Sequence, residues 1–531
     1  MLLLAEPGWG KSSLCAWMIG QGRQPATLAE QGRRAQIMNA WSASYLCSTT
    51  SGSTINPTTF SRSIAEQLAS RFADFAAALV RRAAPGQYNA SITANEISGQ
   101  AIGINIATQQ IIVEAANARD VYEHAVRLPL VDVVAARPAG GRIFILVDGI
   151  DDALLFGRNN IVDLLLASGD FPDRVRFFLT SRREDRVRLA FPPSEHVRVV
   201  FVSDDTWRDE NDKDVSAYIE WRANEPEIQA WLASTGLERA AFVKQLVDHA
   251  AGNLLFIRFV LDNPPRAGAV GVAVPTGLQA AYDGFLARIF PGVGAGPDPT
   301  WTDTGKPVLG ALTVAVPAAP DDALPQWLGP SRIDQALQTV GQLTEWINDA
   351  DGGSRRLYHR SLGDFLSTQR VQSTDKEPLG NRFFVDPRMQ HKTITDYYFA
   401  AIKDQWDNDW HECDRYGLRQ LVPHMYALHA LTTVKSERVG VAERICDLAL
   451  NEKFQEAQRE KLGDGTATIE AIRLALDVCV ETGDAASIRR RAHRVAESWE
   501  PQMRAFAAQA IADLHTRDPK AALDELKALL S

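Results

Sequence analysis

At 531 residues the chain is too long for one hydrophobic core, and three to five domains is the natural expectation. Its 45% hydrophobic and 23% charged residues are those of a folded globular protein, and a net charge of −10 argues against nucleic-acid binding as its main business. Five cysteines stand singly with no C-x-x-C pair, which argues against a disulfide framework, and no apolar run approaches the ~18 residues that a bilayer span requires.

The start, Met1-Leu2-Leu3-Leu4, lacks the basic residues and longer apolar stretch of a signal peptide, so the expected compartment is the reducing cytoplasm, with no membrane partner. His411 and Cys413 lie close together but have no second pair to complete a zinc site. The basic run from Ile488 to Arg494 reads as the solvated face of a helix.

In chain order, the first element is the apolar run Leu2-Leu3-Leu4, followed by Ala5-Glu6-Pro7-Gly8-Trp9-Gly10-Lys11-Ser12 and a helix-compatible stretch from Ser13 to Met18. A strand, a Gly-rich turn ending in Gly-Lys-Ser and a helix together read as a phosphate-cradling P-loop. Gly8 and Gly10 permit a tight turn around Trp9 whose N–H groups, with those of the helix start through Ser13, face an anion. Lys11 supplies a charge for the β- and γ-phosphates, and the Ser12 hydroxyl is a ligand for Mg²⁺. The first glycine of the usual pattern is Ala5 here. Only about three residues precede the turn, where five or six are usual. That predicts a fragment, an earlier start, or a stunted first strand.

Residues 36–48 read as a second strand, and Asn56-Pro57 as the start of a helix whose face is Phe60, Ile64 and Leu68. Residues 84–118 are polar, with a possible inserted hairpin at Ile102–Ile106. The run from Arg142 to Asp152 is a continuous apolar segment ending in Asp148-Gly149-Ile150-Asp151-Asp152, the pattern of a buried parallel strand that delivers a carboxylate to the sheet's C-terminal edge. Asp148 is the expected Mg²⁺ partner there, and Asp151 or Asp152 is expected to orient the attacking water. Val175 to Arg182 is a further buried strand. Its terminal Thr180-Ser181-Arg182 offers a guanidinium that reads a γ-phosphate. With Val197–Val202 as a fifth strand, the expectation is a doubly wound parallel α/β sheet.

From about residue 212 the apolar positions recur at helical spacing, predicting a compact helical domain that contains Gly252-Asn253-Leu254-Leu255. A Gly/Ala/Val-rich linker reaches about residue 276, and a helix follows from Ala280 to Phe290. Between Trp301 and Leu366 helices are expected at Pro307–Val314 and Asp334–Asn348, in a three-helix unit with a short β wing. Beyond residue 385 the chain reads as helical: Thr393 to Asp404, Tyr416 to Thr432, Glu437 to Asn451, and two stacked pairs over 467–530 of the kind that build solenoids.

The order of these landmarks resembles the STAND-class signalling NTPases of the NACHT type, relatives of NOD-like receptors and of NB-ARC proteins, and in particular their bacterial members. The likeness runs over roughly residues 1–430: Ala5 to Ser12 for the P-loop, Ile143 to Asp152 for the acidic strand, Thr180-Ser181-Arg182 for the sensor, and Gly252-Asn253-Leu254-Leu255 for the Gly-x-Pro element. A winged-helix signature follows in His359, Ser361, Leu362, Asp364, Phe365 and Leu366, then a helical connector over Trp406–His424. Leu254 stands where many members carry the proline that stacks on adenine.

The resemblance implies an NTPase domain over 1–210, a helical lid over 211–295, a winged helix over 296–384, a connector over 385–435 and helical repeats over 436–531. It implies an ATP/ADP- and Mg²⁺-dependent switch with slow hydrolysis. In such a switch His359 would contact the β-phosphate of ADP in the closed state, and a sensed ligand, expected to be a protein, would trigger homo-oligomerisation. Two other classes compete: a nucleotide-independent interaction scaffold, and an AAA+-like remodelling ATPase.

Overall fold

The computed structural model describes residues 1–21, 28–48, 52–83, 118–136, 141–156, 160–167, 171–263, 276–296, 298–316, 318–329, 333–349, 352–371, 379–406, 408–462 and 466–478. The expected hairpin at 102–106, the linker after Asn263, the basic run at 488–494 and the helical pairs beyond 478 lie outside the described residues. The chain divides into two compact units, Met1–Arg288 and, in the main, Ile289 onward.

The first unit is built on five parallel strands: β1 (Leu2–Leu4), β2 (Trp41–Leu46), β3 (Ile143–Asp148), β4 (Val175–Ser181) and β5 (Val199–Phe201). Their spatial order is β2-β3-β4-β1-β5, all neighbours parallel. A parallel sheet with crossover helices is buried on both faces, which is why β1 and β3 are near-continuous apolar runs. Although β1 has three residues, Leu3 and Leu4 pair with Thr180 and Ser181 on one side and with Val200 and Phe201 on the other. Two of the five strands therefore hold the stem of the Gly-rich turn. Because β4 lies between β1 and β3, its polar end emerges between that turn and Asp148.

Helix α1 (Lys11–Met18) follows the turn, and α2 (Leu28–Ala40) leads straight into β2. The strand expected from Gln36 thus begins only at Trp41. Gln36, Ile37, Met38 and Ala40 are good or tolerable helix formers that extend α2, whereas the alternating burial of a strand starts with Ser42 and Ala43. Helix α3 (Pro57–Arg71) is capped by Asn56, whose side-chain oxygen accepts from the N–H groups of Thr58 and Thr59, and Phe60, Ile64 and Leu68 bury its core face as their spacing requires. Further helices lie between the strands, and after β5 come helices Arg208–Arg222, Pro226–Thr235, Arg239–Ala250, Leu254–Asp262 and Gly277–Ile289.

In the second unit, helices Lys306–Val314, Arg360–Ser367 and Pro387–Asp404 pack together beside a three-stranded antiparallel sheet of Ala319–Pro320, Gly352–Leu357 and Thr344–Asp349. The helix expected over Asp334–Asn348 stops at Thr339. Val340 and Gly341 interrupt it, and Thr344-Glu345-Trp346-Ile347 carries the β-branched and aromatic residues that favour the strand formed there. Helices Arg415–Leu431, Lys435–Ala449, Glu452–Leu462 and Thr466–Val478 follow. Among the described residues no helix is long and apolar enough to cross a membrane.

A buried polar chain ties two of these helices together. The Tyr416 hydroxyl lies 2.8 Å from His424 Nε2, and His424 Nδ1 lies 2.8 Å from His391 Nδ1. One consistent proton arrangement has Tyr416 donating to His424, and His424 donating to His391. Both rings are then neutral. Burial lowers His391 to about 4 and holds His424 well below 6.5. As pH falls below about 6.5, the unfolded chain takes up protons that the folded pair refuses, so stability is complete above that value and is lost toward pH 4. Asp414, raised by burial, acts in the opposite sense because its protonation favours the folded chain, but it is one group against two. Thermal melts at pH 7 and 5 are expected to show this loss. His391→Gln, whose carbonyl oxygen still accepts from His424 without titrating, is expected to flatten it; an equal slope in the variant would contradict the assignment.

Candidate functional site

The Gly-rich turn leaves β1 at Ala5 and reaches α1 through two left-handed glycines, Gly8 (φ +86°) and Gly10 (φ +76°), a conformation that side-chain-bearing residues rarely adopt. The first helical hydrogen bond runs from the Leu14 N–H to the Gly10 carbonyl at 2.8 Å. The N–H groups of Lys11, Ser12 and Ser13 therefore have no acceptor within the helix, and the Ser12 and Ser13 side chains are exposed. Lys11 folds back over the turn, its Nζ donating to the carbonyls of Ala5 at 2.8 Å and Glu6 at 3.1 Å. Burial lowers its pKa. The charges acting on it after burial are, in order, Asp151, Arg182, Asp148 and Glu6, of which only Arg182 opposes its protonation. Residues from three separate loops thus share one electrostatic neighbourhood.

Asp148, at the end of β3, is 3% exposed and accepts a hydrogen bond from the Thr180 hydroxyl, whose oxygen in turn accepts from the Gly149 N–H at 3.0 Å. The Cys15 thiol of α1 is raised by burial and by its contact with the same carboxylate. Asp148 is thereby held between α1 and the end of β4. Asp151 is also buried. One of its oxygens accepts from the Arg182 backbone N–H at 3.0 Å, and the other lies 3.3 Å from Arg182 Nε. Asp152 is half-buried, with its N–H on the Gly149 carbonyl. All three carboxylates raise the Cys47 thiol at the end of β2, after the larger effect of burial.

The helical part of the first unit docks on the turn itself. Helix Arg239–Ala250 ends in two left-handed residues, Ala251 (φ +44°) and Gly252 (φ +84°), and the strained turn aims Asn253 at the Gly-rich turn. Asn253 caps helix Leu254–Asp262 by accepting from the Phe256 N–H at 2.9 Å, while its amide donates to the Pro7 carbonyl at 2.9 Å. The Leu255 N–H donates to the Gly8 carbonyl at 3.1 Å. The fit is close. A Cβ on Gly8 would meet Asn253 Oδ1 and Leu255 Cβ, one on Gly10 would lie 3.0 Å from Leu254 Cδ1, and one on Gly252 would lie 2.5 Å from the Trp9 ring. The carbonyls of Pro7 and Gly8, on the outer side of the turn, are thus taken up by Asn253 and Leu255.

Gly8, Trp9, Gly10, Lys11, Asp148, Asp151, Arg182 and Leu254 therefore assemble around one turn, with Ser12 and Ser13 exposed on the first turn of α1. His359 belongs to the second unit. There it caps helix Arg360–Ser367, its Nδ1 accepting from the Ser361 N–H at 3.1 Å and lying 2.8 Å from the Ser361 hydroxyl.

Three participants escaped the sequence reading. Asn253 carried the usual signal of a polar residue before an apolar helical run, but its partner Pro7 lies 246 positions away. Thr180 as the group that orients Asp148 had no local signal. Arg183, placed 3.4 Å from Glu6 and 3.6 Å from Asp204 and lying over the Phe201 ring, braces the turn against the end of β5. No protein-family model matches the chain, and no curated protein matches it in sequence.

Proposed function

We propose that the chain is an ATP/ADP-dependent signalling switch of the STAND class, NACHT type, that binds nucleotide with Mg²⁺ at the turn between β1 and α1. The observation that supports this best is the convergence of Lys11, Asp148 and Arg182, from three loops, beside a helix start whose first N–H groups have no helical acceptor. In this reading Lys11 exchanges its two carbonyl partners for β- and γ-phosphate oxygens. Ser12 and Asp148 hold the Mg²⁺, which would neutralise phosphate charge during transfer, and the N–H groups around Gly8, Trp9, Gly10 and Ser13 bind the phosphates. Arg182 reads the γ-phosphate. Asp151 or Asp152 orients the attacking water. Leu254 is the adenine-side contact.

The second unit, with its small antiparallel sheet and helix Arg360–Ser367, is read as a winged helix followed by helical repeats. His359 keeps the closed-state role that the resemblance implies. Ligand sensing, by way of a protein partner, and homo-oligomerisation complete the switch.

Turnover separates this from its competitors. Acid extraction of the purified chain is expected to release bound ADP or ATP, and hydrolysis should run at roughly 10⁻²–10⁻⁴ s⁻¹, the range of unassisted P-loop switches. Fast turnover stimulated by a polymer would favour a remodelling ATPase. Absence of any nucleotide binding would favour a scaffold.

A further inference from the structure

We propose that Asp151 sets the preference of this site for a nucleoside triphosphate over a diphosphate, by holding the Arg182 guanidinium on an internal carboxylate that a γ-phosphate must displace. The inference rests on the nucleotide reading above and adds to it a competitor built into the chain. The Asp151 side chain is 5% exposed and that of Arg182 16%, so their contact is a buried ion pair. The two carboxylate oxygens are divided between the Arg182 backbone N–H, at 3.0 Å, and Nε, at 3.3 Å. A carboxylate and a phosphate offer a guanidinium the same kind of acceptor, two oxygens on one centre, but the terminal phosphoryl carries more charge.

Asp151 is also the charge that most favours Lys11 in its protonated form, and Arg182 the one that most opposes it. One carboxylate thus stands against both cations. A diphosphate satisfies Lys11 and leaves the Asp151–Arg182 pair intact. A triphosphate reaches Arg182 as well and is bound in full only when that pair opens. Asp151 is therefore a positioning residue that acts through Arg182, and its charge taxes the triphosphate alone.

Asp151→Asn tests this. The asparagine oxygen still accepts from the Arg182 backbone N–H, so the loop after β4 keeps its tether while the guanidinium is released. With Mg²⁺ present, affinity for a non-hydrolysable ATP analogue is expected to rise about tenfold and affinity for ADP to stay within about twofold. Adding Arg182→Gln should erase the gain, giving the double variant the same analogue-to-ADP ratio as R182Q alone. The double variant also removes both buried charges, and so remains measurable if D151N does not fold by itself. A ratio unchanged in D151N, or one in the double variant that differs from R182Q, would overturn the proposal while leaving the nucleotide site standing. Failure of the unaltered chain to bind either nucleotide would overturn that site and this inference with it.

Discussion

Replacing Lys11 with alanine is expected to weaken ATP binding by two orders of magnitude or more, and ADP binding, which has no γ-phosphate to lose, by about tenfold or more. Hydrogen bonds to charged groups contribute about 1.5–3 kcal/mol each; Lys11 would make one to each of the β- and γ-phosphates of ATP, so losing both corresponds to about a hundredfold or more, whereas ADP loses one. The fold itself should be little affected. In the structure Lys11 makes two hydrogen bonds to carbonyls of its own turn, yet burial lowers its pKa, so its charge is held there at some cost. Calorimetric titration of the variant, with a thermal melt as the folding control, checks the prediction. A correctly folded K11A chain that binds nucleotide as tightly as the original would remove the P-loop from the account.

Gly252→Ala is expected to be strongly damaging to the first unit. Its backbone lies at φ +84°, where an L-residue costs about 1–2 kcal/mol, and the new Cβ would sit 2.5 Å from Cη2 and 2.6 Å from Cζ3 of Trp9. Overpacking of that kind costs a further 1–3 kcal/mol or so. The Trp9 ring lies against Gly252, so the damage should appear as lower denaturant stability and, if nucleotide binds at the Gly-rich turn as proposed, as faster nucleotide release. Trp9→Ala in the same chain should recover the steric part and leave the backbone part, giving a clear coupling in a double-mutant cycle. Simple additivity of the two substitutions would contradict the observed contact.

Much of the first unit was legible in the sequence because its signals are local. The apolar runs Leu2–Leu4 and Ile143–Val147 end in a Gly-rich turn and an acid, and Asn56-Pro57 marks a helix start that the structure has at that point. Boundaries failed where helix and strand formers meet without a breaker, as at Ala40-Trp41, or where a single Gly ends a helical pattern early, as at Gly341. What the sequence withheld is what depends on distant partners. The insertion of β4 between β1 and β3, the grip of Asn253 on Pro7 and the engagement of Asp151 by Arg182 each join segments that no local pattern relates.

The most direct test is a crystal structure of the chain with Mg²⁺ and a non-hydrolysable ATP analogue. The account predicts the β- and γ-phosphates on the first turn of α1, with Lys11 Nζ moved from the Ala5 and Glu6 carbonyls onto phosphate oxygens. The Mg²⁺ should lie between Ser12 and Asp148, and the Arg182 guanidinium within hydrogen-bond distance of the γ-phosphate. An analogue bound elsewhere, or bound at the turn with Lys11 and Arg182 still on their internal partners, would contradict it.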